Sequence, residues 1–537
     1  MTDKEIEVEL KNPYFFLLLG ILLVVLYFEI NVTINGPIAF GDEGYWTYIS
    51  KWIAQNVEYP IYHPLSGSLL KKEGFQNPPL FPFFEGSFYY IFGFSEMIVK
   101  ILVPVLSFFS ALAVYEIFKR LYSDKVGFYA ALILATIPAI ATYSVLFYVD
   151  IFLVYWIIFS VGFFLLSIKE EKRKYFIFSA IFASLAVLTK KTGLILIPFF
   201  VIYFFYELWK ERKIAPLLKK YLMPLLIVGI ILGSFFIRNY AYFGTPLCGL
   251  PYVFTSDKCN VDIQYKNLAD FTQQNQNTGS DASVYSFGFV NYFQFAYGFI
   301  FYVPLLFIIG LALFLIRKEK IDIAVILFLL VSSALFLQTY QGRAEDASRY
   351  TLFAVPIIAL VCAVYIESIS NVLKQHYKYF ALALMVLILI ISFYDFYTKI
   401  VTMPAVKQFS PAFLDACSWA KQNLPSNAII LSLYTAPTSY NCDRKAIWEL
   451  QDLPDIILSN NLNLTVRRLN ANGIGWIFVQ KFAMSQQAYR QNYPTSFIVF
   501  LESNPQTFSK VFENGPSYGT CVQSGGCDGT AIYKVKG

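Results

Sequence analysis

The chain runs to 537 residues, of which 57% are apolar and 19% aromatic, while only 15% carry a charge. That balance excludes an ordinary soluble enzyme and marks a polytopic membrane protein. The formal charge of +6 is modest, and the basic residues stand in short clusters between apolar runs, a pattern of cytoplasmic loops and not of a nucleic-acid surface.

Met1–Leu10 is acidic and the first apolar run lacks a small-residue cleavage site, so that run is read as a retained helix. About eleven apolar runs are long enough, or nearly so, to span. They lie at roughly 14–30, 98–118, 127–149, 151–168, 175–188, 194–209, 221–238, 293–316, 321–340, 350–367 and 378–397. Basic loops alternate between them: Lys119, Arg120 and Lys125 follow the second run, and Lys169, Lys172, Arg173 and Lys174 the fourth. Three more follow the sixth, eighth and tenth. Every second connection is thus basic, which predicts a cytoplasmic N-terminus and an outside C-terminus in a multi-pass plasma-membrane protein.

With that orientation residues 31–97, 239–292 and 398–537 fall outside. Leu80 to Phe94 is apolar and aromatic but broken by Pro82, Glu85 and Gly93, and reads as an interfacial helix. Residues 398–537 read as an α/β domain, with strands at 428–433 and 475–479, helical stretches at 411–423 and 444–470, and a closing hairpin near 508–513 and 530–536. The expected fold is a polytopic α-helical membrane module, 1–397, with an extracytoplasmic α/β domain at its C-terminal end. Six of the seven cysteines fall in outside segments, which permits disulfides. Cys521–Cys527 and Cys248–Cys259 are the most local pairings, and buried free thiols are the alternative.

The acidic residues carry the strongest chemical signal. Asp42 and Glu43 open the first outside loop in Gly41-Asp42-Glu43-Gly44-Tyr45-Trp46, and Asp150 ends the third run in Phe147-Tyr148-Val149-Asp150. The topology puts all three at one membrane face, where one carboxylate can deprotonate a hydroxyl while another orients it. Ordinary loop solvation for Asp42, and capping of the next helix by Asp150, are the bland alternatives. The short fifth and sixth runs join at Thr189-Lys190-Lys191-Thr192-Gly193, a hairpin tip that holds lysines near headgroup level. Arg238 and Arg349 come out on the same face. Together these make a basic ring suited to a phosphate, against the alternative of side chains snorkelling to lipid headgroups. Tyr45, Trp46, His63 and Asn77 are candidates for sugar or acceptor contact, although aromatic belts at the interface explain the rings equally well.

Neither histidine, His63 or His376, stands in a ligand-spaced cluster, and no Asp-x-Asp pair, phosphate loop or dinucleotide fingerprint occurs. No cofactor is firmly implied, and a divalent metal is left open. Any sugar donor is expected to be lipid-borne.

These residues resemble the GT-C superfamily of integral membrane glycosyltransferases, in the branch of protein O-mannosyltransferases and the lipid A aminoarabinose transferase. The likeness rests on the Gly41–Trp46 segment, Asn77-Pro78-Pro79-Leu80, Asp150, Leu188-Thr189-Lys190-Lys191-Thr192-Gly193, Arg349-Tyr350 and Pro356. It implies a sugar carried on a polyprenyl phosphate, such as dolichyl or undecaprenyl phosphate. It also implies inverting transfer, with Asp42 as general base, to a glycan, lipid or protein acceptor. Lys190, Lys191, Arg238, Arg349 and Tyr350 would bind the donor phosphate, and the doubled lysine leaves open which of the two faces it. The missing β-trefoil insert of eukaryotic O-mannosyltransferases points to an archaeal or bacterial member. A flippase for a lipid-linked sugar and a non-catalytic envelope scaffold are the rival readings. The first predicts paired charges in mid-span, the second that Asp42 tolerates substitution.

Overall fold

The computed structural model describes residues 12–36, 42–60, 77–244, 246, 302–339, 349, 352–376, 378–407, 409–432, 435–448, 461–481, 495–517 and 528–536. Helices occupy the described part of each expected apolar run. In chain order they are α1 (Pro13–Asn35), α2 (Asp42–Asn56), α3 (Leu80–Phe92), α4 (Glu96–Leu121), α5 (Asp124–Thr136), α6 (Pro138–Ser144), α7 (Val149–Glu170) and α8 (Arg173–Thr189). A 3-10 turn, Lys191–Ile195, leads into α9 (Leu196–Glu211), followed by α10 (Ile214–Phe243), α11 (Tyr302–Arg317), α12 (Lys320–Thr339), α13 (Val355–His376) and α14 (Lys378–Lys407). Six helical segments among the described residues are long and apolar enough to cross a membrane, and a seventh is so if α5 and α6 count as one bent span.

Local chemistry sets the helix ends. Asn12 caps α1, its side-chain oxygen accepting from the Tyr14 amide at 3.0 Å with Pro13 in the first turn. Ser123 caps α5 in the same way through the Val126 amide. The run expected as one span at 127–149 is corrected by the structure: it breaks at Pro138 and bends by 63°. Proline disfavours the helical conformation in the residue before it, and Ile137 sits accordingly at ψ 128°.

The helical module has two distinct ends. At one, the basic turns lock together: the Asn12 amide donates to Asp124 at 2.7 Å, Tyr122 to Asp322 at 3.1 Å and Lys125 to Asn371 at 3.1 Å, while Arg120 pairs with Glu170. At the other lie the starts of α2 and α7 and the end of α8. Helices α7 and α13 are the most enclosed, and α10 offers most of its apolar surface outward.

The C-terminal part adds α15 (Pro411–Asn423), β1 (Ile429–Ser432), α16 (Thr435–Cys442), β2 (Lys445–Trp448), α17 (Leu462–Ala471), β3 (Ile474–Gln480), α18 (Thr495–Ser503), β4 (Phe508–Asn514) and β5 (Thr530–Val535). The sheet runs β2-β1-β3-β5-β4, with β1 parallel to β2 and β3, and β5 antiparallel to β3 and β4. Here 444–470 is not one helical stretch: residues 445–448 form β2, whose buried Ala446 and Ile447 suit a strand beside β1. Successive residues serve opposite faces. Leu431 and Ile477 enter one core with Phe497, while Ile430 and Phe478 enter another with Phe413. Cys417 and Cys442 form a disulfide joining α15 to α16. The pairings Cys521–Cys527 and Cys248–Cys259 lie outside the described residues.

Helix α16 carries this domain onto the membrane module. Its Tyr440 hydroxyl donates to Glu96 at the start of α4, and Asp443 just beyond it lies 3.5 Å from Lys51 of α2.

Candidate active site

Four charged side chains meet at the end of the module where α2 and α7 begin. Asp42 and Asp150 stand in the first turns of their helices, where an acidic group meets the positive end of the helix dipole. Lys190 is the residue that ends α8, and Arg349 lies just before the turn into α13. Arg349 holds two carboxylates: its Nε donates to Asp150 Oδ2 at 2.6 Å, and a terminal nitrogen pairs with Asp42 Oδ2. The second oxygen of Asp150 pairs with the Lys190 ammonium. The guanidinium lies 4.8 Å above the ring of Tyr148, whose face favours a cation.

Burial separates the two aspartates. The Asp150 side chain is 2% exposed and both its oxygens are engaged, whereas Asp42 is 44% exposed. Asp150 is therefore an anchor that holds Lys190 and Arg349 side by side, and Asp42 is the carboxylate a solute can reach. Capping does not explain Asp150, because the cap position of α7 is Tyr148. Glu43 turns inward: it is buried, and its Oε1 accepts the backbone amide of Phe147 at 2.8 Å.

Lys191 follows Lys190 but begins the 3-10 turn, and among the described residues no carboxylate pairs with it. The turn owes its tightness to Gly193, where an added Cβ would lie 2.6 Å from the Ala186 carbonyl.

A second polar row runs beside α2. Asn77 donates to the Tyr45 hydroxyl at 2.8 Å, and Tyr59 donates to the Asn77 carbonyl. Arg238 stacks 4.6 Å over the Tyr59 ring and donates to the Pro60 carbonyl at 2.7 Å. Among the described residues Arg238 thus contacts this row, Lys190 and Arg349 contact the two aspartates, and Lys191 pairs with neither group. Trp46 is also corrected as a sugar contact: it is buried with its ring 5.4 Å from Phe81, and its faces are taken by protein. His63 and Tyr350 lie outside the described residues. Tyr148 was missed in the sequence; its place two residues before Asp150 was the available signal.

The family of dolichyl-phosphate-mannose-protein mannosyltransferases matches residues 76–237, which carry Asn77, Asp150, Lys190 and Lys191. Among solved structures, the chain is similar to the Archaeoglobus fulgidus oligosaccharyltransferase AglB in complex with an inhibitory peptide and a dolichol-phosphate. That match has a TM-score of 0.64 at 13% identity, covering 93% of this chain and 73% of the other. ArnT from Cupriavidus metallidurans bound to undecaprenyl phosphate gives 0.60 at 13% identity, with 97% of each chain covered. The arabinofuranosyltransferase AftD from Mycobacteria gives 0.53 at 11% identity, over 96% of this chain and 40% of that one. A sequence comparison with curated proteins finds no significant match. All three neighbours share the fold of this chain, and its residues 76–237 match the family of dolichyl-phosphate-mannose-protein mannosyltransferases.

Proposed function

We propose that the protein moves a sugar from a polyprenyl-phosphate donor to an acceptor hydroxyl on the outer face of the membrane, with inversion, and that Asp42 is the general base. The carrying observation is the division of labour between the aspartates: Asp150 is buried and doubly ion-paired, while Asp42 is open and held by one arginine. Two similar structures contain polyprenyl phosphates, a dolichol-phosphate in one and undecaprenyl phosphate in the other, which supports the donor class.

The reaction is one displacement. The acceptor oxygen attacks the anomeric carbon as its proton passes to Asp42, and the bond from that carbon to the phosphate oxygen breaks. Its electron pair leaves with the polyprenyl phosphate, and attack from the opposite side inverts the centre. The leaving phosphate gains charge, which preorganised cations stabilise. Lys191 has no described carboxylate partner and is the lysine assigned to the phosphate, beside Arg349. Lys190 is committed to Asp150. A flippase would pair charges in mid-span; the pairs at this site lie at helix ends, in the first turn of α7 and at the close of α8.

The test is Asp42→Asn in the purified protein with a short-chain polyprenyl-phosphate sugar. Transfer falls about 10²–10⁴-fold, the usual loss with a general base, while donor binding persists. Near-parental turnover would remove Asp42 from catalysis and favour a scaffold.

A further inference from the structure

Asp150 and Glu171 stand at opposite ends of α7, about 30 Å apart along the helix. At the Glu171 end, away from the proposed transfer site, the ends of α7 and α9 and the starts of α8, α10 and α12 enclose a cavity of about 410 Å³. Its wall carries Lys172, Arg173, Lys219, Lys220 and Lys320 against Glu171, Glu207 and Glu211, an excess of two positive charges. Part of this charge is internally matched. Lys220 lies 2.7 and 2.9 Å from the two oxygens of Glu207, which also accepts from Tyr221, and Lys172 pairs with Glu170. Among the described residues no carboxylate pairs with Arg173, Lys219 or Lys320. The floor is apolar, with Ile168, Phe176 and Pro216.

The surface beside the cavity belongs to lipid. Trp209, on the last turn of α9, is 77% exposed, as suits an indole at headgroup level. Leu218 and Leu222 of α10 and Phe178 of α8 are exposed along the helices leading away from the cavity toward mid-membrane. A free anion has no use for such a border, whereas a lipid fills both parts.

We infer that this cavity is a binding site for an anionic glycerophospholipid. Its phosphodiester sits among Arg173, Lys219 and Lys320, and its acyl chains lie along Leu218, Leu222 and Phe178. Basic pockets between spanning helices are a general means of holding anionic headgroups. A zwitterionic headgroup fits worse, because its own cation meets a wall already in positive excess. The bound lipid braces, from the opposite leaflet, the two helices whose far ends hold Asp150 and Lys190.

The experiment needs no glycosyl transfer, so its outcome is independent of the function proposed above. The full chain is equilibrated in mixed micelles of phosphatidylglycerol and phosphatidylcholine, exchanged into detergent, and its retained lipids are counted by native mass spectrometry. One phosphatidylglycerol per chain is expected to remain. The triple variant Arg173→Gln/Lys219→Gln/Lys320→Gln should weaken retention about a hundredfold, at ~1 kcal/mol for each cation lost near a membrane surface, while melting like the parent in lipid-free detergent. Equal retention of phosphatidylcholine, or a triple variant that holds phosphatidylglycerol like the parent, would overturn the site. Displacement of the lipid by millimolar inorganic phosphate would make it a free-anion site and overturn the lipid assignment.

Discussion

Asp42 and Glu43 are neighbours in sequence yet serve different partners, because successive residues on a helix point about 100° apart. One reaches the arginine at the mouth, the other a buried backbone amide. Lys190 and Lys191 divide in the same way, and this gives a sharp test. Lys190→Ala leaves Asp150 with one cation fewer in a buried setting, so it should lower the melting temperature; breaking a buried ion pair costs about 3–5 kcal/mol. Lys191→Ala should leave stability alone and weaken binding of the donor by about 1.5–3 kcal/mol, the worth of a hydrogen bond to a charged group. The paired measurement is thermal melting beside donor affinity, and identical profiles for the two variants would refute the division. The residues of the cluster were legible in the sequence because charges at the ends of apolar runs stand out. Their pairing was not. Topology assigns a residue to a membrane face, but the order of helices around the bundle decides that Arg349 lands between two aspartates and Arg238 beside Tyr59.

At the scale of elements, the hairpin from α8 into α9 depends on Gly193. Any Cβ there would collide with backbone atoms of Ala186 and Val187, which cannot move aside as a flexible side chain can. Gly193→Ala should therefore displace the lysine tip and reduce donor affinity at least as much as Lys191→Ala, read in the same binding assay. The contact between α2 and α3 holds a second buried acid. Glu85 is wholly buried, accepts from Tyr89 at 2.8 Å, and is pushed up to about 7 by burial, against the lowering effect of hydroxyl groups around it. A carboxyl whose folded pKa is raised retains a proton that the unfolded chain has lost. Its contribution is full below about 4.5 and is lost as pH rises through about 7. The melting temperature should fall between pH 5 and 8 by the equivalent of roughly 3 kcal/mol, and Glu85→Gln, which mimics the protonated acid, should flatten that slope. Hydropathy located the helices well, because a spanning run must be continuously apolar. It could not show the bend at Pro138, because the two halves together are apolar enough for one span, or the strand at 445–448, too short to display a period.

Across the whole molecule, a domain that contributes no described residue to the charged cluster touches the helix that carries Asp42. Helix α16 meets α2 and the start of α4 through Tyr440, Glu96, Asp443 and Lys51, whereas Lys190, Lys191 and Arg349 stand on other elements. Removing residues 408–537 should thus leave donor binding near the parental value and lower turnover by releasing α2, which orients Asp42. Loss of donor binding in a folded truncation would contradict this. The pairing of Arg349 with Asp42 spans 307 residues, that of Lys190 with Asp150 only 40. During synthesis at about 5–20 residues per second, Asp150 meets its lysine within seconds, in time to be neutralised as its helix enters the bilayer. Asp42 waits on the order of 15–60 s for Arg349. The carboxylate proposed as the base is thus among the first groups made and among the last put in place, and a half-synthesised chain in the membrane carries Asp42 without the arginine that holds it.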